Sequence, residues 1–249
     1  MATATFRIWR GERGQGQFRD YTAEVAAGMV VLDVVHQIQA EQAGDLAVRW
    51  NCKAGRCGSC SAEINGMPKL MCMTRLNALA LDKPVTIEPM KAFPHIKDLV
   101  TDVSWNYKVK QRIPKFKPRP PDAADGTWRI AQKDVERVQE FRKCIECYLC
   151  QDVCHVLREH HLQEQFIGPR FLVQVAALEM HPLDVEDRLQ GLRTQFGIGL
   201  CNITKCCTKV CPEGITITDN AIIPLKERVV DRFFDPLGKL FRVFAARKR

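Results

Sequence analysis

Apolar and polar residues alternate at period two along TFRIWR and DYTAEVA, then give way to apolar positions three and four apart through VVLDVVHQIQAEQ. The first pattern is that of strands with one buried face, the second that of an amphipathic helix. Strand-like runs follow at CSAEING, KLMC and VTIEPM, so the first hundred residues are expected to form a mixed α/β unit. The second half is helical in pattern, at AQKDVERVQEFRK, at PRFLVQVAALEM with Pro169 in a first turn that tolerates it, at PLDVEDRLQGL and in a long C-terminal segment. Between the halves lies KVKQRIPKFKPRPPDAADG, in which Pro114, Pro118, Pro120 and Pro121 are interleaved with basic residues. It is too proline-rich for a helix and too polar for a core, and reads either as a solvated linker or as an extended arm on an acidic partner. The expected organisation is α+β: residues 1–107, a linker over 108–127, and a helical domain over 128–249.

Composition sharpens the picture in one respect. The 249 residues include twelve cysteines, far more than packing needs. MATATFRIWR has no apolar run of the kind that directs export, so reduced thiols are expected, and closely spaced reduced cysteines are usually metal ligands. Asp33 interrupts VVLDVVHQI and Glu179 closes FLVQVAAL, so no run is expected to span a membrane.

The cysteines fall into three groups. Cys52, Cys57 and Cys60, with Cys72 further on, have the C-x4-C-x2-C spacing of plant-type 2Fe-2S sites. Three thiolates from one loop must converge on two irons, so the backbone has to curl and turn its N–H groups toward sulfur. Gly55 and Gly58 supply the dihedral freedom for that curl. A zinc site is the competing reading, but zinc sites mostly pair two short-spaced dyads. Cys144, Cys147, Cys150 and Cys154 follow the x2, x2, x3 run of bacterial ferredoxins, whose fourth cysteine serves a second cluster. In CNITKCCTKVCP the reciprocal run, counted back from Cys211, finds Cys207 and Cys201 but threonine at 204. Cys144, Cys147, Cys150 and Cys211 are thus expected to hold a 4Fe-4S cluster. Cys154, Cys201 and Cys207 offer three thiolates, which suits a 3Fe-4S cluster, and Cys206 is left over as a small buried hydrophobe.

These clusters change the meaning of the charge. The formal net charge is +8, but three clusters at about two negative charges each cancel roughly six of it. No nucleic-acid-binding module is recognisable, GERGQG has the wrong glycine spacing for a dinucleotide site, and no nucleophile is evident. The chain is expected to do no bond chemistry, to bind no nucleic acid and to relay electrons.

CKAGRCGSC with Cys72, CIECYLCQDVC, FIGPR and CNITKCCTKVCP, taken in this order, closely resemble the iron-sulfur subunit of succinate dehydrogenase and fumarate reductase over nearly the whole chain. The resemblance implies a β-grasp plant-type ferredoxin domain docked on a flavoprotein, and an all-α bacterial-ferredoxin-like domain on a membrane anchor. Single electrons would pass from the FAD of the flavoprotein through the three clusters to a quinone at the anchor, as in respiratory complex II and the tricarboxylic acid cycle. Fumarate reduction would use the same parts in reverse, and a free-standing multi-cluster ferredoxin is a third reading. The sequence departs from the family at His155, where proline is usual, at the extra Cys206, and in VLREHHL, which lacks a tryptophan found near the quinone in many members. His155, His160 and His161 are either solvated or placed to hydrogen-bond a quinone or a haem propionate. Residues 226–249 carry eight bases against three acids among six Leu and Phe side chains, a pattern suited to a membrane surface, a permanent partner or an ordinary packed helix. With the first strand beginning near residue 5, the expected setting is the cytoplasmic face of a bacterial inner membrane, peripherally attached.

Overall fold

The computed structural model describes residues 2–235, and the larger part of the basic C-terminal segment lies outside the described residues. The chain divides into two compact units. One takes Met1–Lys108, Cys144–His161 and Cys206–Ile215, and the other takes the stretches between them and the residues from Thr216 onward.

The first unit is built on a sheet. β1 (Ala2–Glu12) and β2 (Gln15–Val25) form an antiparallel hairpin closed by Arg13 and Gly14, both at positive φ, a geometry that follows the natural strand twist. β3 (Ser61–Ile64), β4 (Met67–Leu70), β5 (Val85–Glu88), β6 (His95–Lys97) and β7 (Val100–Thr101) complete it. The order is β4-β3-β5-β1-β6-β7 with β2 also on β1, and only β1 with β5 runs parallel among the described pairs. The sequence pattern does not signal β6 and β7, which are too short to show a period. They are held instead by Asp98 between them, buried, whose carboxylate accepts from Arg10 Nε (3.0 Å), Gly11 N–H (2.9 Å) and Ala47 N–H (2.8 Å).

Helical segments run in order α1 (Val31–Glu41), α2 (Ser104–Arg112), α3 (Gln132–Gln139), α4 (Leu149–Asp152), α5 (His155–Arg158), α6 (Gly168–Glu179), α7 (Leu189–Thr194), α8 (Cys206–Lys209) and α9 (Ile223–Phe233). α1 lays Val31, Leu32, Val34, Val35 and Ile38 against Phe6 and Ile8 of β1 in a single apolar core. Asp33 Oδ2 accepts the Val30 N–H (3.0 Å) and so caps its first turn.

In the second unit PLDVEDRLQGL is helical only from Leu189. Its first half is drawn off by the proline-rich stretch, since Val185 N–H donates to the Lys117 carbonyl (2.9 Å) and Arg119 N–H to that of Leu183 (2.8 Å). Arg188, fully buried, donates to the carbonyls of Pro114 (2.9 Å) and Lys115 (2.7 Å) and pairs with Asp184 (2.9 Å). From Pro114 to Arg119 the stretch therefore lies along its own unit, with one bridge at Pro118 to Asp184, rather than as free chain, and its first residues, up to Arg112, are helical in α2 because the prolines begin only at Pro114.

Glu140 ties a 3-10 turn (Glu140–Lys143) to the π-helical turn Ile217–Ile222 that leads into α9. Its carboxylate accepts from Thr216 N–H and Asn220 Nδ2, each at 2.6 Å. Burial opposes its ionisation, but the hydrogen bonds from Asn220 and Thr216 outweigh it and hold the carboxyl below its ordinary value. A carboxyl lowered by folding stabilises above its unfolded pKa, about 4.3, and that contribution is lost as pH falls through the lower folded value. Glu140→Gln should therefore lower the melting temperature at pH 7 and flatten the fall in melting temperature on acidification. Melts of the cluster-loaded protein between pH 7 and 4 test this, and parallel curves for the two proteins would refute it.

Candidate metal centres

Residues 51–60 form an irregular loop ahead of β3. Lys53, Gly55 and Gly58 take positive φ (55°, 65° and 68°), so the chain repeatedly reverses its curvature and turns N–H groups to one side. Ala54 and Arg56 donate to Cys52 Sγ (3.4 and 3.3 Å), and Ser59 donates to Cys57 Sγ (3.5 Å). Burial raises the Cys57 thiol, but hydrogen bonds from Ser59 and Cys52 outweigh this and bring it down to about 6. Cys60, hydrogen-bonded with Cys72, is pushed up to about 12, chiefly by burial. The loop and the β4 end thus gather Cys52 with Cys57 and Cys60 with Cys72.

The second set repeats the device. Glu146 and Tyr148, both at positive φ (56° and 61°), flank Cys147, and α4 begins directly after them. Burial pushes Cys147 up to about 12 and Cys150 well above the ordinary thiol value. Neighbouring thiols add to this, Cys144 and Cys211 at Cys147, and Cys147, Cys144, Cys207 and Cys211 at Cys150. Cys211, itself raised by burial, accepts from Ile215 N–H (3.4 Å). Cys144, Cys147, Cys150 and Cys211 are therefore together.

Cys154 caps α5, whose Val156 and Leu157 N–H groups face its sulfur. Burial pushes this thiol to about 12, and both Cys206 and Cys207 at the start of α8 contribute to the rise. Cys201 belongs to the second unit, directly after the 3-10 turn Ile198–Leu200, and Ile203 and Lys205 beyond it take positive φ (61° and 60°). For a β-branched residue that is a strained conformation, of the kind that collects at functional sites.

The donor set fits iron-sulfur clusters. Buried thiols are costly to ionise alone, and iron replaces their protons while the inward N–H groups meet the resulting negative sulfur. Among the described residues no three His, Cys, Asp or Glu side chains close on one point as a single ion requires; a cluster, whose thiolates are spread over two or more irons, does not require it.

Residues 5–108 match a 2Fe-2S iron-sulfur cluster binding domain, and residues 140–215 match a 4Fe-4S dicluster domain. The chain is 34% identical over 205 residues to the fumarate reductase iron-sulfur subunit of Mycobacterium tuberculosis, covering 80% of each. It is 30% identical over 182 residues to the succinate dehydrogenase iron-sulfur subunit of Bacillus subtilis, covering 69% of this chain and 68% of that one. A chain of the Mycobacterium smegmatis Sdh1 complex in the apo form superposes with a TM-score of 0.90 at 59% identity, over 94% of this chain and 98% of that one. The chain belongs to the iron-sulfur subunits of succinate dehydrogenase and fumarate reductase.

As such a subunit it transfers electrons within an oxidoreductase complex. No described helix is long and apolar enough to cross a membrane. Of the histidines after Cys154, the rings of His155 and His160 meet edge-on at 6.2 Å, and His161 takes positive φ. Sequence reasoning missed Ser61, Glu63, Asp152 and Arg158. Alternation along β3 assigns Ser61 and Glu63 to solvent, yet all four β3 residues are buried. Glu63 pairs with Arg158 (2.6 Å) and Lys91 (3.2 Å), and Asp152, raised to about 7 by burial, accepts the Ala92 N–H (2.9 Å). A strand covered on both faces carries no period-two signal, and its cover here comes from residues 144–161 of the same unit.

Proposed function

We propose that Cys52, Cys57, Cys60 and Cys72 hold a 2Fe-2S cluster, that Cys144, Cys147, Cys150 and Cys211 hold a 4Fe-4S cluster, and that Cys154, Cys201 and Cys207 hold a 3Fe-4S cluster. The observation that carries this reading is the gathering of Cys52 with Cys57, Cys60 with Cys72, Cys144, Cys147 and Cys150 with Cys211, and Cys154 with Cys207, each beneath left-handed turns or inward N–H groups. Cys201 joins the third set on its spacing from Cys207 and Cys211, with Thr204 where a fourth thiolate would stand. In this reading residues 1–107 form a β-grasp ferredoxin domain, 108–127 the basic linker, and 128–249 a bacterial-ferredoxin-like helical domain.

Bound clusters supply reversible one-electron storage. The chain's own residues hold the thiolates at fixed spacing, and the N–H groups aimed at sulfur favour the more negative reduced state. Burial of Cys60, Cys147, Cys150, Cys154 and Cys207 excludes water. The chain then relays single electrons from the FAD of a flavoprotein that oxidises succinate to a quinone at a membrane anchor, on the cytoplasmic face of a bacterial inner membrane. The kinship with the Bacillus succinate dehydrogenase subunit and with the Sdh1 complex chain supports these partners, and the kinship with the fumarate reductase subunit leaves the reverse direction equally open to the same parts.

The test is purification from membranes followed by iron analysis and EPR, oxidised and then reduced. The expected complex contains a flavoprotein and an anchor, about nine irons per chain from clusters of two, four and three, and a signal from the three-iron centre when oxidised. A chain that purifies alone, or one with about ten irons and no oxidised-state signal, overturns the partner and the three-iron assignments respectively.

A further inference from the structure

Within the first unit the loop of Cys57 and the loop of Cys147 touch backbone to backbone. A Cβ on Gly58 would stand 2.5 Å from Cys147 Cα and 2.9 Å from Cys147 Cβ, nearer than real atoms approach, and Gly58 also holds a φ of 68°. On the β3 side of this contact the Ser61 hydroxyl, buried at 6% exposure, lies 2.8 Å from the Gly58 carbonyl and 2.9 Å from the Cys147 carbonyl. Its single proton is shared between one acceptor from each loop. Beside the contact opens a cavity of about 170 Å³, lined by Cys57, Gly58, Ser59, Ile145, Cys147 and Tyr148. Packed atoms carry electronic coupling better than gaps do, so the Gly58–Cys147 contact offers a dense route between the two loops.

We propose that this junction is the coupling element between the first and second cluster sites. Gly58 lets the loop of Cys57 rest on the backbone of Cys147, and Ser61 is a positioning residue that clamps the two together. The proposal rests on the reading above that Cys57 and Cys147 serve different clusters. For each electron relayed, the site at Cys57 is oxidised by one electron and the site at Cys147 reduced by one, with no proton transferred at the junction.

The experiment uses the intact, purified complex carrying Gly58→Ala, Ser61→Ala or Ser61→Thr. It measures iron content, the EPR signal of each reduced cluster, the spin-spin broadening between them, and the rate of electron passage in a single turnover. Gly58→Ala must push the loops apart, so both signals should persist while their mutual broadening weakens and the rate falls several-fold. Ser61→Ala should shift both in the same direction by less, and Ser61→Thr, which keeps the hydroxyl, should restore them. Wild-type broadening and rate in both Gly58→Ala and Ser61→Ala overturn the proposal. If Gly58→Ala loses a cluster, the Ser61 pair decides, because broadening unchanged by Ser61→Ala overturns it equally. Failure of the underlying ligand assignment would show differently, as a wrong iron count or a missing signal in the unsubstituted complex.

Discussion

Cys57→Ser should remove or strongly perturb the 2Fe-2S signal and stop electron flow from flavin to quinone, while succinate still reduces the flavin in the intact complex. Cys57 is the thiol of the first set brought down to about 6, half-buried at the rim of its loop, with Ser59 N–H on its sulfur. A serine oxygen is harder and far more basic than a thiolate and is a poor ligand for iron in a sulfur-bridged core. The side chains that hold the sheet together are elsewhere, in Phe6, Ile8, Val35, Ile64 and Ile87, so the fold should persist and the loss should be confined to the relay. Flavin bleaching by succinate and quinone reduction are measured separately. Unimpaired quinone reduction in a variant shown by EPR to lack the cluster would refute a linear relay.

Thr204→Cys and Cys206→Ala should have opposite outcomes at the third centre. Thr204 occupies the register position of a missing thiolate, and its hydroxyl is no soft ligand. Supplying cysteine there should recruit a fourth iron, raising the count to about ten per chain, abolishing the oxidised-state signal, lowering the centre's potential and slowing quinone reduction. Cys206 and Cys207 open α8 together and both bear on Cys154, so proximity alone does not separate them. Register does, because only Cys207 lies four before Cys211, and consecutive helical residues project about 100° apart. Cys207 is buried, whereas Cys206 is only partly so, not the buried small hydrophobe expected of it, because it opens the short α8 at the surface. Cys206→Ala should keep about nine irons and the oxidised-state signal. Loss of that centre in Cys206→Ala would make Cys206 a ligand.

Much of this was legible in the sequence for a physical reason. The cysteine spacings within each loop, the alternation in β1 and the three-four spacing in α1 are local signals, so residues 5–10 and 30–42 fall within or close to the elements they form. β6, β7 and the burial of Ser61 and Glu63 were illegible because their causes are distant in sequence: Asp98 bonding to Arg10, Gly11 and Ala47, and residues 144–161 covering β3. The failed half of PLDVEDRLQGL has the same origin, since its helical period yields to a buried Arg188 bonded to carbonyls more than seventy residues earlier. The left-handed residues Lys53, Glu146, Tyr148, Ile203 and Lys205 carry no glycine to announce them.

The sheet-bearing unit is not made in one pass, because the chain leaves it after Lys108, returns at Cys144, leaves again after His161 and returns at Cys206. On a ribosome adding about 5–20 residues per second, the ligand set of the first loop is complete as soon as Cys72 emerges. Cys144, Cys147 and Cys150 wait several seconds for Cys211, with the second face of β3 uncovered until residues 144–161 arrive. On the proposed ligand assignment, birth order sets a sequence for filling: the first centre has all its thiols once Cys72 has emerged, whereas the second lacks one until Cys211 follows.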